Sequence, residues 1–63
     1  MGGLKIVGYR VEGSEDHLIA DYNTCIITRK TVDGTELWTE QFSDRKAMAE
    51  WLDNRVKQGL IHG

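Results

Sequence analysis

Apolar and polar residues alternate roughly along the first two thirds of the chain, and helical spacing then replaces the alternation. Segments rich in β-branched and aromatic residues predict strands over about 4–12, 17–32 and 35–42. The second segment contains Asn23-Thr24, which is consistent either with a tight turn or with a bulge in one long strand. Asp33-Gly34 separates the last two segments and predicts a hairpin, because glycine readily adopts positive φ.

A helix is predicted over about 44–58, where apolar residues recur every three or four positions. We expect Ser43 to cap its N-terminus and Gly59 to end it in the left-handed conformation. The expected fold is α+β: a three- or four-stranded antiparallel meander sheet with one C-terminal α-helix packed on one face (β-β-β-α). Residues 1–63 then form one small domain. The apolar stripe of the helix consists of Ala47, Met48, Trp51, Leu52 and Val56.

The two faces of the predicted sheet differ, because one helix covers only one of them. Trp38 and Phe42 share a face and are expected to pack against the helix. If apolar side chains form an exposed patch of several hundred Å² on the other face, that patch would indicate a partner surface. Sheet twist or bulges would instead hide those side chains from solvent. A slip of one residue in register would exchange the two faces. The residues expected on the second face are Leu4, Ile6, Ile19, Ile27 and Leu37.

Size and composition narrow the possibilities further. The chain has 63 residues, eight Lys/Arg against ten Asp/Glu, a net charge of −2 and one cysteine. So small a domain buries only about 60% of its unfolded surface, and an internal disulfide is impossible, so we expect a homodimer or a protein partner to add stability. The acidic balance disfavours nucleic acid as a ligand. The absence of a long apolar run or a signal peptide predicts no membrane association and a cytoplasmic location.

No catalytic, metal-binding or cofactor site is predicted, so we expect no enzyme. Cys25 begins an apolar strand, where a buried, inert thiol is usual. The acidic residues around the first turn lack the ordered oxygen ligands of a calcium loop and are interpreted as solvated. Gly8 inside a strand indicates a bulge or the close approach of a bulky neighbour such as a tryptophan. The acidic turn consists of Glu12, Glu15, Asp16 and His17.

The central hairpin offers a possible nucleic-acid surface, because a strand pair presenting Arg, Thr and Gln can read a DNA groove. Arg29 and Lys30 are adjacent, however, and must point to opposite faces. A solvated strand is therefore the favoured interpretation. The other polar residues of this hairpin are Thr28, Thr31, Thr39 and Gln41.

Half of the chain resembles the N-terminal arm-binding domain of phage-type tyrosine integrases. The residues that carry the resemblance are Asp33-Gly34, Phe42-Ser43, Ala47 and Trp51. It implies a sheet that lies in the DNA major groove, although that family's sheet is basic and this chain is acidic.

Taken together, the sequence predicts a small binding or regulatory domain that acts by protein–protein contact, as do phage or mobile-element accessory and inhibitor proteins. A sheet-based DNA-binding module is the alternative. Glu36 and Glu40 are expected to steer the approach of a partner by electrostatic attraction. The partner surface is expected to contain Ile6, Ile19, Ile27 and Leu37.

Overall fold

The computed structural model describes residues 5–63, which form a five-stranded antiparallel sheet and one helix. Its elements are β1 (Ile6–Val11), β2 (His17–Asp21), β3 (Ile26–Lys30), β4 (Glu36–Gln41), α1 (Arg45–Lys57) and β5 (Ile61–His62). The strand order is β4-β3-β2-β1-β5, and every neighbouring pair is antiparallel. The predicted α+β meander with a C-terminal helix is confirmed. The expected strand start at Leu4, and its place on the second face, lie outside the described residues.

The helix crosses the sheet from one edge to the other. It follows β4 at one edge and leads into β5, which pairs with β1 at the opposite edge. Its 13 residues extend about 20 Å at about 1.5 Å per residue. Four strand spacings of about 4.8 Å make the sheet about 19 Å wide. One helix of this length therefore reaches across all five strands, but on one face only.

The core is the contact between α1 and this helix-covered face. Met48 and Leu52 are the buried residues of the helix, and they belong to one cluster with buried residues of the sheet. Burial and the neighbouring Tyr22 raise the pKa of the partly buried Tyr9 phenol, which packs against this cluster. The buried sheet residues are Leu18, Ala20, Ile27 and Ile61.

The cap residues fix both ends of α1. Asp44, not Ser43, is the N-cap: its backbone is extended, and its carboxylate accepts a hydrogen bond of 2.8 Å from the Ala47 N–H. The prediction of Ser43 is wrong by one residue because both side chains can cap, and only Asp44 directly precedes the first helical turn. Gly59 ends the helix with φ 75°, as predicted. The Leu60 N–H then donates to the Arg55 carbonyl over 2.9 Å, as in a Schellman motif.

The turn between β2 and β3 decides which face of the sheet is buried. Asn23-Thr24 lies in a turn, which the Cys25 N–H closes by donating to the Asp21 carbonyl over 2.8 Å. Four residues separate the strands, so Asp21 lies opposite Ile26 and Ala20 opposite Ile27. Ile27 therefore points to the helix and has no exposed surface. Its predicted place on the second face is wrong, and Ile26 takes that place.

The turn between β3 and β4 confirms the hairpin predicted at Asp33-Gly34. Gly34 has φ 93°, and the Thr31 N–H donates to the Thr35 carbonyl over 2.9 Å, so three residues form the loop. The Asp33 carboxylate accepts hydrogen bonds from the Thr31 hydroxyl and the Thr35 N–H, which lower its pKa. A register shift follows, and it leaves Trp38 opposite Arg29.

We predict that Ile27→Ala destabilises the protein far more than Ile26→Ala does. Truncating the fully buried Ile27 leaves a cavity and should cost about 3 kcal/mol, whereas the half-buried Ile26 should cost about 1 kcal/mol. A domain of this size has only about 3–9 kcal/mol of stability in total, so the difference will be evident in urea unfolding. The reverse ranking would contradict the face assignment.

A second prediction concerns the helix cap. Asp44→Ala should lower the free energy of unfolding by about 1 kcal/mol because the Ala47 N–H loses its acceptor. The adjacent Ser43→Ala is the matched control and should change stability by less than about 0.5 kcal/mol. Equal effects of the two substitutions in thermal or urea unfolding would show that Asp44 is not the cap.

Candidate functional site

The sheet face that α1 does not cover, here called the open face, is a continuous surface formed by all five strands. Side chains alternate along each strand, so the pairing registers define its members. Gly8 lies opposite Ile19 in regular pairing, and the Ile19 Cδ1 would be 3.9 Å from a Cβ at this position. The bulky neighbour expected at Gly8 is thus Ile19 and not a tryptophan. The open face consists of Ile6, Gly8, Arg10, His17, Ile19, Asp21, Ile26, Thr28, Lys30, Leu37, Thr39, Gln41 and His62.

Three aliphatic side chains of the open face, those of Ile6, Ile19 and Ile26, surround Asp21, whereas Leu37 lies apart from them on the edge strand. Ile6 is 53% exposed and Leu37 is 50% exposed, while Ile19 and Ile26 are half-buried. Three of the four predicted patch residues, Ile6, Ile19 and Leu37, therefore share this face. Ile27 does not belong to it.

The two predicted steering residues lie near opposite ends of β4. Glu36 lies opposite Lys30, at the border of the open face. Glu40 lies opposite the buried Ile27 and therefore points to the helix side. Both belong to β4, an edge strand whose six residues are all exposed.

Three basic side chains, here called the basic row, lie side by side on the open face. Arg10 is directly opposite His17, and His17 is directly opposite Lys30. Residues directly opposite each other have Cβ atoms about 4.5–5.5 Å apart. Within residues 5–63 neither Arg10 nor Lys30 has an acidic partner within 4 Å. Sequence reasoning missed this row because its members are far apart in the chain and only strand pairing brings them together.

The basic row has a different neighbour at each end. His62 of β5 lies opposite Arg10, and its Nε2 is 2.6 Å from the Glu12 Oε1, so this imidazole already has a carboxylate partner. Glu36 lies opposite Lys30 at the other end. The row is thus bounded by an imidazole at one end and a carboxylate at the other.

A second concave feature, here called the tryptophan cleft, lies on the opposite side of the sheet, beside the C-terminal half of α1. Its volume is about 280 Å³. Leu18 and Ile61, which are each 3% exposed, contribute apolar surface to it. The remaining lining residues are Val11, Glu12, Arg29, Trp38, Trp51, Arg55 and Leu60.

Aromatic packing fixes one wall of the tryptophan cleft. Trp51 makes edge-to-face contacts with Trp38 and Phe42, at centroid distances of 6.3 and 5.8 Å. The prediction that Trp38 and Phe42 face the helix is confirmed. Trp38 remains 39% exposed, so an aromatic surface is accessible from solvent.

The two arginines of the cleft differ in their partners. Arg29 donates from Nε and Nη2 to the Asp16 Oδ2, over 2.9 and 2.8 Å. The Arg55 guanidinium carbon lies 3.6 Å from the Trp51 ring centroid, a cation–π arrangement. Among residues 5–63 no carboxylate lies within 4 Å of Arg55.

The other candidate groups are dispersed. Cys25 lies in the turn before β3, is half-buried and has a left-handed backbone with φ 59°. Of the acidic turn, Asp16 binds Arg29, Glu12 contacts His62, and His17 belongs to the open face. Residues 5–63 contain no group of three or more His, Cys, Asp or Glu side chains that could hold a metal ion.

Comparison with known proteins found no match of this chain to a family model, to a curated protein or to a solved structure. The resemblance to the integrase domain therefore finds no support there. In the described part of the chain, α1 lacks the length and apolar character that a membrane-spanning helix requires.

Proposed function

We propose that this chain is a small, non-enzymatic binding domain that acts by contact between the open face of its sheet and a partner protein. The observation that carries the proposal is the exposure of Ile6 and Leu37, at 53% and 50%, on a face that α1 does not cover. Ile6 also neighbours the half-buried Ile19 and Ile26 around Asp21, and exposed apolar patches are typical of protein interaction sites. A role as an accessory or inhibitor protein would follow if the partner's own surface were occluded.

The size of the open face favours a larger partner over a second copy of the chain. Four strands at about 4.8 Å and five residues at about 3.3 Å give about 320 Å² per copy. Two copies would bury about 640 Å², below the roughly 1,200 Å² of stable interfaces. A homodimer formed through this face alone would be weak, whereas a larger protein could also contact the adjoining edge strand β4.

The charges of the open face define the partner further. Arg10 and Lys30 are exposed or half-buried there, and neither has an acidic partner within residues 5–63. A partner surface with an apolar region beside an acidic one would complement both features, and the opposite charges would accelerate the encounter. Cytoplasmic location remains part of this proposal.

Photo-crosslinking in the cells that produce the chain tests the proposed surface. A benzoylphenylalanine in place of Ile6 or Leu37 should give a discrete adduct with a partner protein. The same group in place of Val32, which is 72% exposed at the tip of a turn, is the matched control and should give none. Ile19→Asp should remove the adduct at position 37, while the fold remains intact by circular dichroism.

The mass of the adduct identifies the occupant. An adduct of twice the chain mass would show self-association instead of a larger partner. Crosslinks from Val32 alone, or from none of the three positions, would contradict docking through the open face.

A nucleic-acid ligand is the second candidate, and the basic row is the observation that favours it. A phosphate backbone would supply the acidic partner that Arg10 and Lys30 lack within residues 5–63. Thr28, Thr39 and Gln41 on the same face could donate hydrogen bonds beside it. The net charge of −2 and the aliphatic side chains of the face count against this candidate, so protein contact stands first.

Salt dependence separates the two candidates. If two or three phosphates are contacted, affinity for a labelled DNA duplex should fall on the order of 10- to 40-fold between 50 and 200 mM salt. The variant with Arg10→Gln and Lys30→Gln should lose this binding, whereas Lys46→Gln on the exposed side of α1 should retain it. Absence of binding at low salt, measured by fluorescence anisotropy, would eliminate the nucleic-acid candidate.

A further inference from the structure

The tryptophan cleft is independent of the open face, because the sheet separates the two surfaces. It combines three elements of a ligand site: buried apolar residues, exposed aromatic surface and a cation without a carboxylate partner in residues 5–63. Ligand pockets typically combine an apolar lining with a few polar groups that fix orientation.

The charged residues that line the tryptophan cleft indicate which charge a ligand should carry. Asp16 already neutralises Arg29, and the Glu12 carboxylate contacts the His62 Nε2 and not Arg55. Arg55 is thus the cation of the cleft that has no carboxylate within 4 Å among the described residues. Its guanidinium lies over Trp51, which restricts the side chain without using the N–H groups at its edge. A carboxylate can accept two parallel hydrogen bonds from such an edge.

The volume of the cleft limits the size of the ligand. At about 280 Å³ the cleft lies just below the usual range of about 300–1,000 Å³ for small-molecule sites. A single aromatic ring with a short acid chain fits this space, whereas a dinucleotide cofactor does not. The apolar part of the ligand would lie against Leu18, Ile61 and the exposed side of Trp38.

We propose that the tryptophan cleft binds a small aromatic carboxylate, with the carboxylate on Arg55 and the ring against Trp38. The site does not use the open face, so it can be present whether or not that face binds a partner protein.

Intrinsic fluorescence measures occupancy directly, because Trp38 and Trp51 are the two tryptophans of the chain and both line the cleft. Titration with 3-phenylpropionate should change the emission with a dissociation constant on the order of millimolar, as ligand size limits the affinity. The two indole N–H signals in a ¹H–¹⁵N spectrum should shift with the same constant.

Two related probes test the role of charge on the unmodified protein. 3-Phenylpropanamide should bind about tenfold more weakly or worse, because it loses the charge-assisted hydrogen bonds to Arg55. Phenethylamine, which carries the opposite charge, should not bind measurably. Equal binding of the acid and the amide would overturn the proposal. Tighter binding of the amine would also overturn it, because the cleft would then select a cation.

Variants test the residue assignment. Arg55→Gln should reduce the affinity for 3-phenylpropionate to that for the amide. Lys57→Gln removes a charge from the same helical turn but lies outside the cleft, so it should bind as the parent protein does. Binding that survives Arg55→Gln unchanged would refute the site. If the Arg55→Gln variant does not fold, the comparison of 3-phenylpropionate with 3-phenylpropanamide on the unmodified protein still tests the proposal.

The C-terminus of a peptide carries the same carboxylate group as the free acid. Gly-Gly-Phe with a free carboxylate, compared with its C-terminal amide, distinguishes this source. Binding of the free acid and not of the peptide supports a small-molecule site. Binding of the peptide at tenfold higher affinity would overturn the small-molecule assignment in favour of a polypeptide terminus.

Discussion

The structure depends on one contact, in which a single helix covers a single face of the sheet. Met48 and Leu52 of α1 pack over Ala20 and Ile27, and few other side chains are fully buried. The hydrophobic effect stabilises a domain in proportion to the apolar area removed from water. The helix spans the five strands once, and residues 5–63 contain no further element that covers the second face. Both proposed surfaces follow from this limit.

The two surfaces differ in how they arise. The open face exists because residues 5–63 contain no second layer that covers it, so its exposure is a consequence of topology. The tryptophan cleft lies beside the C-terminal half of α1, where Trp38, Trp51 and Arg55 line it. Arg55 stabilises this arrangement by stacking on Trp51. One surface is flat and the other concave, which suits them to different classes of ligand.

Local signals predicted the fold because the hairpin at Asp33-Gly34 and the helical spacing after Phe42 act within a few residues. They did not predict the face of Ile27, because the number of residues in the turn at 22–25 determines which side chains of β3 point to the helix. Asn23-Thr24 was consistent with either a turn or a bulge, so that number was not known from the sequence. Nor did they predict β5, whose two residues depend on pairing with β1. The basic row was hidden for the same reason, since only the strand order places Arg10 and Lys30 on either side of His17.

The outer edge of β4 has a consequence for polymerisation. An unpaired edge strand is a template on which another copy of the chain could extend the sheet into a fibril. If two β4 strands met antiparallel with Trp38 opposite Trp38, each Glu36 would face a Glu40 of the other copy. Four carboxylates would then repel one another across two close contacts. The carboxylates of β4 therefore oppose edge-to-edge pairing between two copies of the chain.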